Sequence, residues 1–337
     1  MALPLLFWLL SFSKLPYRER RIKEDAMRQV SPKLQPWLNT FNEQVALLVE
    51  DGFKPTATNA REGLANLTQG LVTDIPAVAW VQDDLVLSDE YDVPVRIYHP
   101  APAQSLPVLV FYHGGGHIAG SITVYDPICR KLANATQHIV VSVDYRLAPE
   151  CPYPAGVNDA CNVVKHIWQT LDSRKLNYLP RLSIAGDSGG GALVATVSQK
   201  AQFDDAITLA KQVLVYPSLD YTMASESMVL NGTGYLVQKS KIAWYFDNYF
   251  QNDEDRTLVS PLYGDFTPQL PETLLLTAEF CPLRDEGMNY CKQAKAAGAV
   301  VKHIHFPDMI HAFLNMEDLV KEECDKVYRY IAEFLQQ

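Results

Sequence analysis

Eight apolar, strand-like runs recur along the chain, and helical patterns separate most of the later ones. The runs are short and rich in β-branched and aromatic residues, as is typical of buried strands. Strands that alternate with helices form right-handed crossovers in a mostly parallel sheet that helices cover on both faces. We therefore predict an α/β fold with an eight-stranded, mostly parallel sheet whose first two strands form an antiparallel hairpin. The runs are VAWVQDDLVL, VPVRIYHP, LPVLVFYH, HIVVSVDY, LSIAGD, QVLVYP, ETLLLTAEF and VVKHIHF, and the helical patterns cover 125–136, 155–171, 189–200, 285–297 and 316–336.

Two segments break this alternation. Residues 20–70 carry an amphipathic helical pattern that includes Trp37, Phe41 and Val45. An insertion after YPSLDY is rich in aromatic residues such as Tyr235, Trp244 and Tyr245, which would line an apolar pocket or pack a small core. We expect both segments to form a helical cap over the carboxyl edge of the sheet, where ligands bind in such folds. The predicted division is a cap segment at 1–70, core at 71–217, a cap insertion at 218–256 and core at 257–337.

Composition narrows the range of partners. The chain is 48% hydrophobic and 20% charged, and its formal net charge is −10. An acidic surface repels nucleic-acid phosphates, so we expect a small-molecule substrate and no nucleic acid. The six cysteines show no C-x-x-C spacing, which favours reduced thiols, no metal site and a cytoplasmic location.

The N-terminus begins with MALPLLFWLLSFS, whose apolar part is shorter than the roughly 20 residues of a membrane span. It also lacks the basic start and the cleavage site of a secretory signal. We favour a helix packed on the body of the protein, with interfacial attachment to a membrane as the alternative. A homodimer is compatible with the sequence.

The stretch LSIAGDSGGG places Ser188 between a predicted strand and a predicted helix. In a G-x-S-x-G turn the glycines allow a tight bend that lifts the serine hydroxyl clear of the backbone. Glycine-rich turns of this kind also bind phosphate, so the motif alone leaves two interpretations open.

A second glycine motif, His113-Gly114-Gly115-Gly116, follows the third strand-like run. Acyl transfer requires stabilisation of an oxyanion, and glycines allow backbone N–H groups to approach it closely. The motif precedes Ser188 by about seventy residues, in the order expected for an α/β-hydrolase. The pair of motifs therefore favours Ser188 as a nucleophile.

Five segments in this order resemble the hormone-sensitive-lipase family of α/β-hydrolases: HGGG, VDYRLAPECPYPAGVNDA, GDSGGG, AEFCPLRDEG and MIHAF. The resemblance covers about residues 75–337 and implies hydrolysis of short acyl esters without a cofactor. It implies Ser188 as nucleophile and His311 as the catalytic histidine. It also implies an oxyanion hole formed by Gly115, Gly116 and Gly189, where the family usually has alanine at the last position.

Structural roles are expected for residues near the oxyanion loop. His113 is expected to brace the oxyanion loop, and His117 stands where the family has a bulky aromatic residue. The remaining expectation is a structural charge network beside that loop, formed by Asp144, Arg146, Glu150 and Asp159.

One departure concerns the catalytic acid. The family motif reads D-P-L-x-D-E-G and its first aspartate orients the histidine, but this chain has Cys281 there. A neutral thiol is a poor acceptor for a histidine N–H. Three explanations remain open: Asp285 substitutes as the acid, Cys281 serves as a weakened third member, or the protein has lost efficient catalysis. We predict Asp285, because it lies one turn into the following helix.

The sequence thus predicts a serine carboxylesterase that acts on small, short-acyl esters. The alternatives are a catalytically weakened homologue that binds a small ligand, and an amide deacetylase that uses the same residues.

Overall fold

A single eight-stranded sheet forms the centre of the protein. The computed structural model describes residues 28–337, and the predicted N-terminal apolar helix at residues 1–13 lies outside them. The strands follow the order β1-β2-β4-β3-β5-β6-β7-β8. The pairs β1–β2 and β2–β4 are antiparallel, and the other five pairs are parallel. The strands are β1 Trp80–Val86, β2 Val93–His99, β3 Leu106–Tyr112, β4 Ile139–Val143, β5 Tyr178–Asp187, β6 Lys211–Val215, β7 Glu272–Phe280 and β8 Val301–Ile310.

Helices cover both faces of this sheet. They are α1 Gln35–Glu50, α2 Ala57–Leu71, α3 Ile122–Thr136, α4 Ala155–Ser173, α5 Ser188–Ala201, α6 Glu226–Leu230, α7 Lys239–Tyr249, α8 Arg256–Val259, α9 Arg284–Ala296 and α10 Lys321–Gln336. One apolar core joins one face of the sheet to α3 and α10, and a second joins the other face to α4, α5 and α9. The predicted α/β class, the strand number and the hairpin of β1 with β2 are confirmed.

Several boundaries differ from the prediction, and two of the differences lie near the C-terminus. Strand β8 continues through Pro307 to Ile310, although a proline normally ends a strand. It does so because β8 is the edge strand, where a missing N–H need not remove a ladder bond. The last helix begins at Lys321, because a 3₁₀ turn at Phe313–Met316 occupies the start of the predicted segment.

The N-terminal helical pattern divides at Gly52, which follows α1 with φ +76°. This left-handed conformation suits glycine and ends the helix. Helix α2 then starts at Ala57, and Thr56 caps it, because the Thr56 hydroxyl accepts a hydrogen bond from the N–H of Asn59. No helix within residues 28–337 combines the length and the apolarity that crossing a membrane requires.

Ion pairs hold the loop after β4 against helices α2 and α4. The Arg146 guanidinium donates to the Asp159 carboxylate over 2.7 Å, and Asp159 is fully buried. Arg61 of α2 donates to Glu150 and to the carbonyl oxygen of Ile118. The loop therefore connects α2, α4 and the glycine loop that follows β3.

We expect Asp159→Ala to lower the free energy of unfolding by about 3 kcal/mol, because it leaves Arg146 without its buried counter-charge. Urea denaturation followed by circular dichroism measures this change. Asp247→Ala is the matched control, since Asp247 is 67% exposed and its partner Arg256 can be solvated. Equal losses for the two variants would contradict the structural role of Asp159.

Candidate active site

Four strands end at the same edge of the sheet and bring the sequence motifs together there. The glycine loop follows β3, Ser188 follows β5, Cys281 follows β7 and His311 follows β8. Parallel strands place their carboxyl ends side by side, so residues that are far apart in sequence become neighbours. Of this cluster, Gly115, Gly116, Ser188 and His311 line a cavity of about 160 Å³ under α1, α2 and α7.

Ser188 occupies a strained turn between β5 and α5. Its φ is +52°, a left-handed conformation that a serine adopts only when the surrounding structure imposes it. A Cβ atom at Gly190 would lie 2.0 Å from the carbonyl oxygen of Tyr112, so only glycine allows this approach of α5 to β3. The turn presents the Ser188 side chain to the cavity.

Asp187, to which the sequence motif gave no role, ties this turn to the glycine loop. Its carboxylate accepts hydrogen bonds from the Gly114 N–H at 2.7 Å and from the Tyr125 hydroxyl at 3.0 Å. Burial raises the pKa of Asp187 to about 7, against the opposing effect of these bonds. The aspartate directly before the serine of G-D-S-G-G was the available sequence signal, but its partners come from other elements.

The three glycines predicted for the oxyanion hole lie together. Gly115 and Gly116 have φ values of +124° and +62°, so the loop backbone is accessible mainly to glycine. A Cβ atom at Gly189 would lie 3.1 Å from the backbone nitrogen of Gly116, which shows how closely α5 approaches the loop. Gly115 and Gly116 therefore line the same cavity as Ser188, and Gly189 follows the serine directly.

His311 connects Ser188 to Cys281. Its Nε2 lies 3.0 Å from Ser188 Oγ, and its Nδ1 lies 3.1 Å from Cys281 Sγ. The sulfur also accepts a hydrogen bond from the Leu283 N–H at 3.3 Å. Burial lowers the pKa of His311 to about 3, with a smaller contribution from the charge of Lys241. Burial likewise raises the pKa of the Cys281 thiol, so both groups are neutral at physiological pH.

The structure contradicts the prediction that Asp285 orients His311. The Asp285 carboxylate accepts hydrogen bonds from the Ser227 N–H and from the Arg284 guanidinium, each at 2.8 Å. These partners hold it against α6, whereas Cys281 Sγ faces the imidazole. The neighbouring Glu286 is also engaged, because it accepts hydrogen bonds from the N–H groups of Leu219 and Asp220.

The histidines of the glycine loop serve the packing around it. His113 stacks on Tyr145 with ring centroids 4.5 Å apart, and its Nδ1 lies 2.9 Å from the Gly114 carbonyl oxygen. His117 stacks on Tyr249 at 4.0 Å with an interplanar angle of 7°. Burial lowers the pKa of His117 to about 3, so it packs there as a neutral aromatic ring.

Comparison with known proteins agrees with this geometry. The family described as "alpha/beta hydrolase fold" matches residues 109–315. This protein belongs to the α/β-hydrolase superfamily. The resemblance to its hormone-sensitive-lipase family is confirmed by curated relatives.

Among those relatives is the carboxylic ester hydrolase LipN of Mycobacterium tuberculosis, 38% identical over 68% of this chain and 62% of its own length. The chain thus spans less than two thirds of LipN. The ethyl acetate hydrolase of Pseudomonas putida is 30% identical over 75% of this chain and 81% of its own. A solved structure of the esterase of Pyrobaculum calidifontis has a TM-score of 0.81 at 31% identity and covers 91% of this chain and 98% of that one.

The cavity of this hydrolase has apolar walls that come mainly from the two segments predicted as cap. Phe41 of α1 and Leu64 of α2 line one side, and Leu236 and Tyr245 of the insertion line the other. The Tyr245 ring lies directly against Gly116. Tyr235, in contrast, packs on Phe280 with ring centroids 5.1 Å apart. The domain boundaries themselves stay a prediction.

We expect Asp285→Asn to leave kcat/KM for p-nitrophenyl butyrate within about twofold of the natural protein, because Asp285 does not contact His311. The free energy of unfolding should fall by about 1 kcal/mol, since the ion pair with Arg284 is lost. Steady-state kinetics and urea denaturation measure the two effects. A loss of several orders of magnitude in kcat/KM at unchanged stability would restore Asp285 as the catalytic acid.

Proposed function

We propose that this protein is a carboxylesterase that hydrolyses small, short-acyl esters through a serine acyl-enzyme, with Ser188, His311 and Cys281 as the catalytic triad. The observation that carries the proposal is the 3.0 Å contact between Ser188 Oγ and His311 Nε2, in a cavity that Gly115 and Gly116 also line. Relatives named as a carboxylic ester hydrolase and an ethyl acetate hydrolase support it. We further propose that α1, α2 and the insertion at 218–256 act as the cap of this site.

The reaction follows from the positions of these groups. Ser188 Oγ attacks the ester carbonyl while His311 Nε2 accepts its proton, and the N–H groups of Gly115, Gly116 and Gly189 stabilise the oxyanion. His311 then returns the proton to the leaving alcohol as the acyl-enzyme forms. Water repeats the sequence on the acyl-enzyme, which releases the acid and restores the serine.

Cys281 changes the electrostatics of this sequence. In the productive tautomer the proton of the neutral imidazole is on Nδ1. The Nδ1–H group donates a hydrogen bond to Cys281 Sγ, so Nε2 can accept the proton of the Ser188 hydroxyl. A neutral thiol can also donate its own proton to Nδ1, and this favours the tautomer that cannot accept from the serine. A thiol also lacks the negative charge that would stabilise the imidazolium formed during attack. Both effects lower the rate without removing the nucleophile.

We extend the proposal to the cellular compartment and the oligomeric state of the protein. All six cysteines are free thiols, which is typical of a protein in the reducing cytoplasm. We propose a cytoplasmic enzyme whose substrate is a small ester, and a homodimer stays a hypothesis.

Cys281→Asp should raise kcat/KM for p-nitrophenyl acetate by about 10²-fold, because a carboxylate holds the productive tautomer and stabilises the imidazolium. Cys281→Ser is the matched control, since it keeps a neutral side chain of similar size, and its rate should stay within about tenfold of the natural protein. An unchanged rate in a folded Cys281→Asp protein would show that the thiol does not limit catalysis.

The pH dependence should change with the same substitution. The active imidazole is neutral and its pKa is about 3, so the natural protein should keep its kcat/KM from about pH 7.5 down to about pH 5. In Cys281→Asp the new carboxylate raises the pKa of His311 toward its ordinary value of about 6.5, so activity should fall over this interval. Profiles of kcat/KM against pH for the natural protein and for Cys281→Asp, with Ser188→Ala as blank, measure both effects. An acid limb near pH 6.5 in the natural protein would contradict the electrostatics described above.

A fluorophosphonate probe tests the proposed nucleophile. The probe should label the natural protein at Ser188 and should not label Ser188→Ala, as shown by intact-mass and peptide mass spectrometry. Labelling combined with ester turnover supports the esterase. If the folded protein binds an ester analogue but never labels, it is the catalytically weakened, ligand-binding homologue that Cys281 would allow.

A further inference from the structure

Lys241 lies where two cavities meet. The active-site cavity contains Ser188 and His311, and a second cavity of about 300 Å³ opens between α1 and α7. The two cavities share three lining residues, Phe41, Leu236 and Lys241. A molecule that extends from Ser188 toward the second cavity therefore passes the Lys241 side chain.

Lys241 is the single permanent cation among the described residues that line these cavities. The single carboxylate among them, Asp187, is buried and already accepts hydrogen bonds from Gly114 and Tyr125. Lys241 forms no ion pair within residues 28–337, and its Nζ lies 5.7 Å from the centroid of the Tyr245 ring. Tyr245 in turn covers Gly116. The exposed ammonium group thus lies near a ring that packs on the glycine loop, and it has no counter-charge within residues 28–337.

The Lys241 side chain is exposed, and it adds a positive charge to the shared wall of the two cavities. This positive charge is opposite in sign to the net charge of −10 of the chain. The remaining walls are largely apolar, with residues such as Phe41, Leu64 and Leu236. The charge of Lys241 also reaches the reaction centre, because it contributes to the low pKa of His311. An apolar channel with one cation beside it suits a molecule with an apolar spacer and one anionic group.

We propose that Lys241 binds a carboxylate of the substrate, so that the enzyme prefers esters that carry a negative charge a few methylene groups from the scissile bond. This inference rests on the proposed esterase function and adds a substrate class to it. The carboxylate belongs either to the acyl part or to the alcohol part of the ester. The apolar walls take up the methylene groups in both cases.

A matched pair of substrates tests whether the recognised carboxylate belongs to the acyl part of the ester. The p-nitrophenyl monoester of adipic acid is compared with the p-nitrophenyl ester that has an isopropyl group in place of the free carboxylate. The readout is the ratio of kcat/KM for the anionic ester to kcat/KM for the neutral one. Lys241→Met should lower this ratio about fivefold, and Lys241→Glu should lower it further, as expected for one partly exposed charge pair.

A second pair tests whether the recognised carboxylate belongs to the alcohol part of the ester. The acetate ester of p-hydroxybenzoate is compared with the acetate ester of p-isopropylphenol in the same variants. A fall of the ratio in one pair alone identifies the side of the ester that carries the recognised carboxylate. In the natural protein the responsive ratio should also fall toward that of Lys241→Met at about 1 M salt, where the Debye length is about 3 Å.

Lys239→Met is the control for a general change in surface charge. Lys239 lies on the same helix but lines neither cavity, so this substitution should leave both ratios unchanged. If Lys241→Met changes neither ratio while the neutral esters are hydrolysed normally, the carboxylate site is refuted and the esterase stands. If no ester is hydrolysed above the Ser188→Ala blank, the proposed function itself has failed.

Discussion

The close contact between the ends of β3 and β5 sets the geometry of the whole site. Gly190 of α5 approaches the carbonyl oxygen of Tyr112 so closely that no side chain fits between them. The same contact lets the Asp187 carboxylate accept the Gly114 N–H. The strained turn at Ser188 and the glycine loop therefore hold each other in place, since neither conformation is favourable for an isolated peptide. Helices α1, α2 and α7 and the histidine complete a site whose frame this contact has already fixed.

The site combines an intact nucleophile with a neutral partner for its base. Cys281 holds the position beside His311 Nδ1, but burial keeps both the thiol and the imidazole uncharged. An aspartate there would introduce a charge that favours the imidazolium, whereas the thiol leaves the histidine neutral over a wide pH range. The substitution therefore changes the electrostatics of the proton shuttle much more than its shape. Lys241 acts in the same direction, because its positive charge also disfavours the imidazolium.

The predictions from the sequence succeeded where a local pattern carries the information. Strand-like runs separated by helical patterns were sufficient for the eight strands and the layered fold. Reasoning from local geometry failed at Asp285, whose position in the first turn of α9 brings it near the end of β7. Its orientation depends on Ser227 and Arg284, and Ser227 belongs to an insertion whose path no local pattern predicts. The predicted end of β8 was wrong for a similar reason, because the effect of Pro307 depends on the position of β8 at the edge of the sheet.

The sequence by itself determined the α/β class, the two glycine motifs and the identity of the residues at the strand ends, because hydrophobic period and turn chemistry are properties of neighbouring residues. The tertiary structure decided which of these residues meet. It placed Cys281 rather than Asp285 against His311 and gave Asp187 its partners. It also placed Lys241 where two cavities meet, without an ion pair among residues 28–337. These outcomes depend on distances between segments that are far apart in the chain, and such distances are fixed only when the sheet, its helices and the insertion pack together.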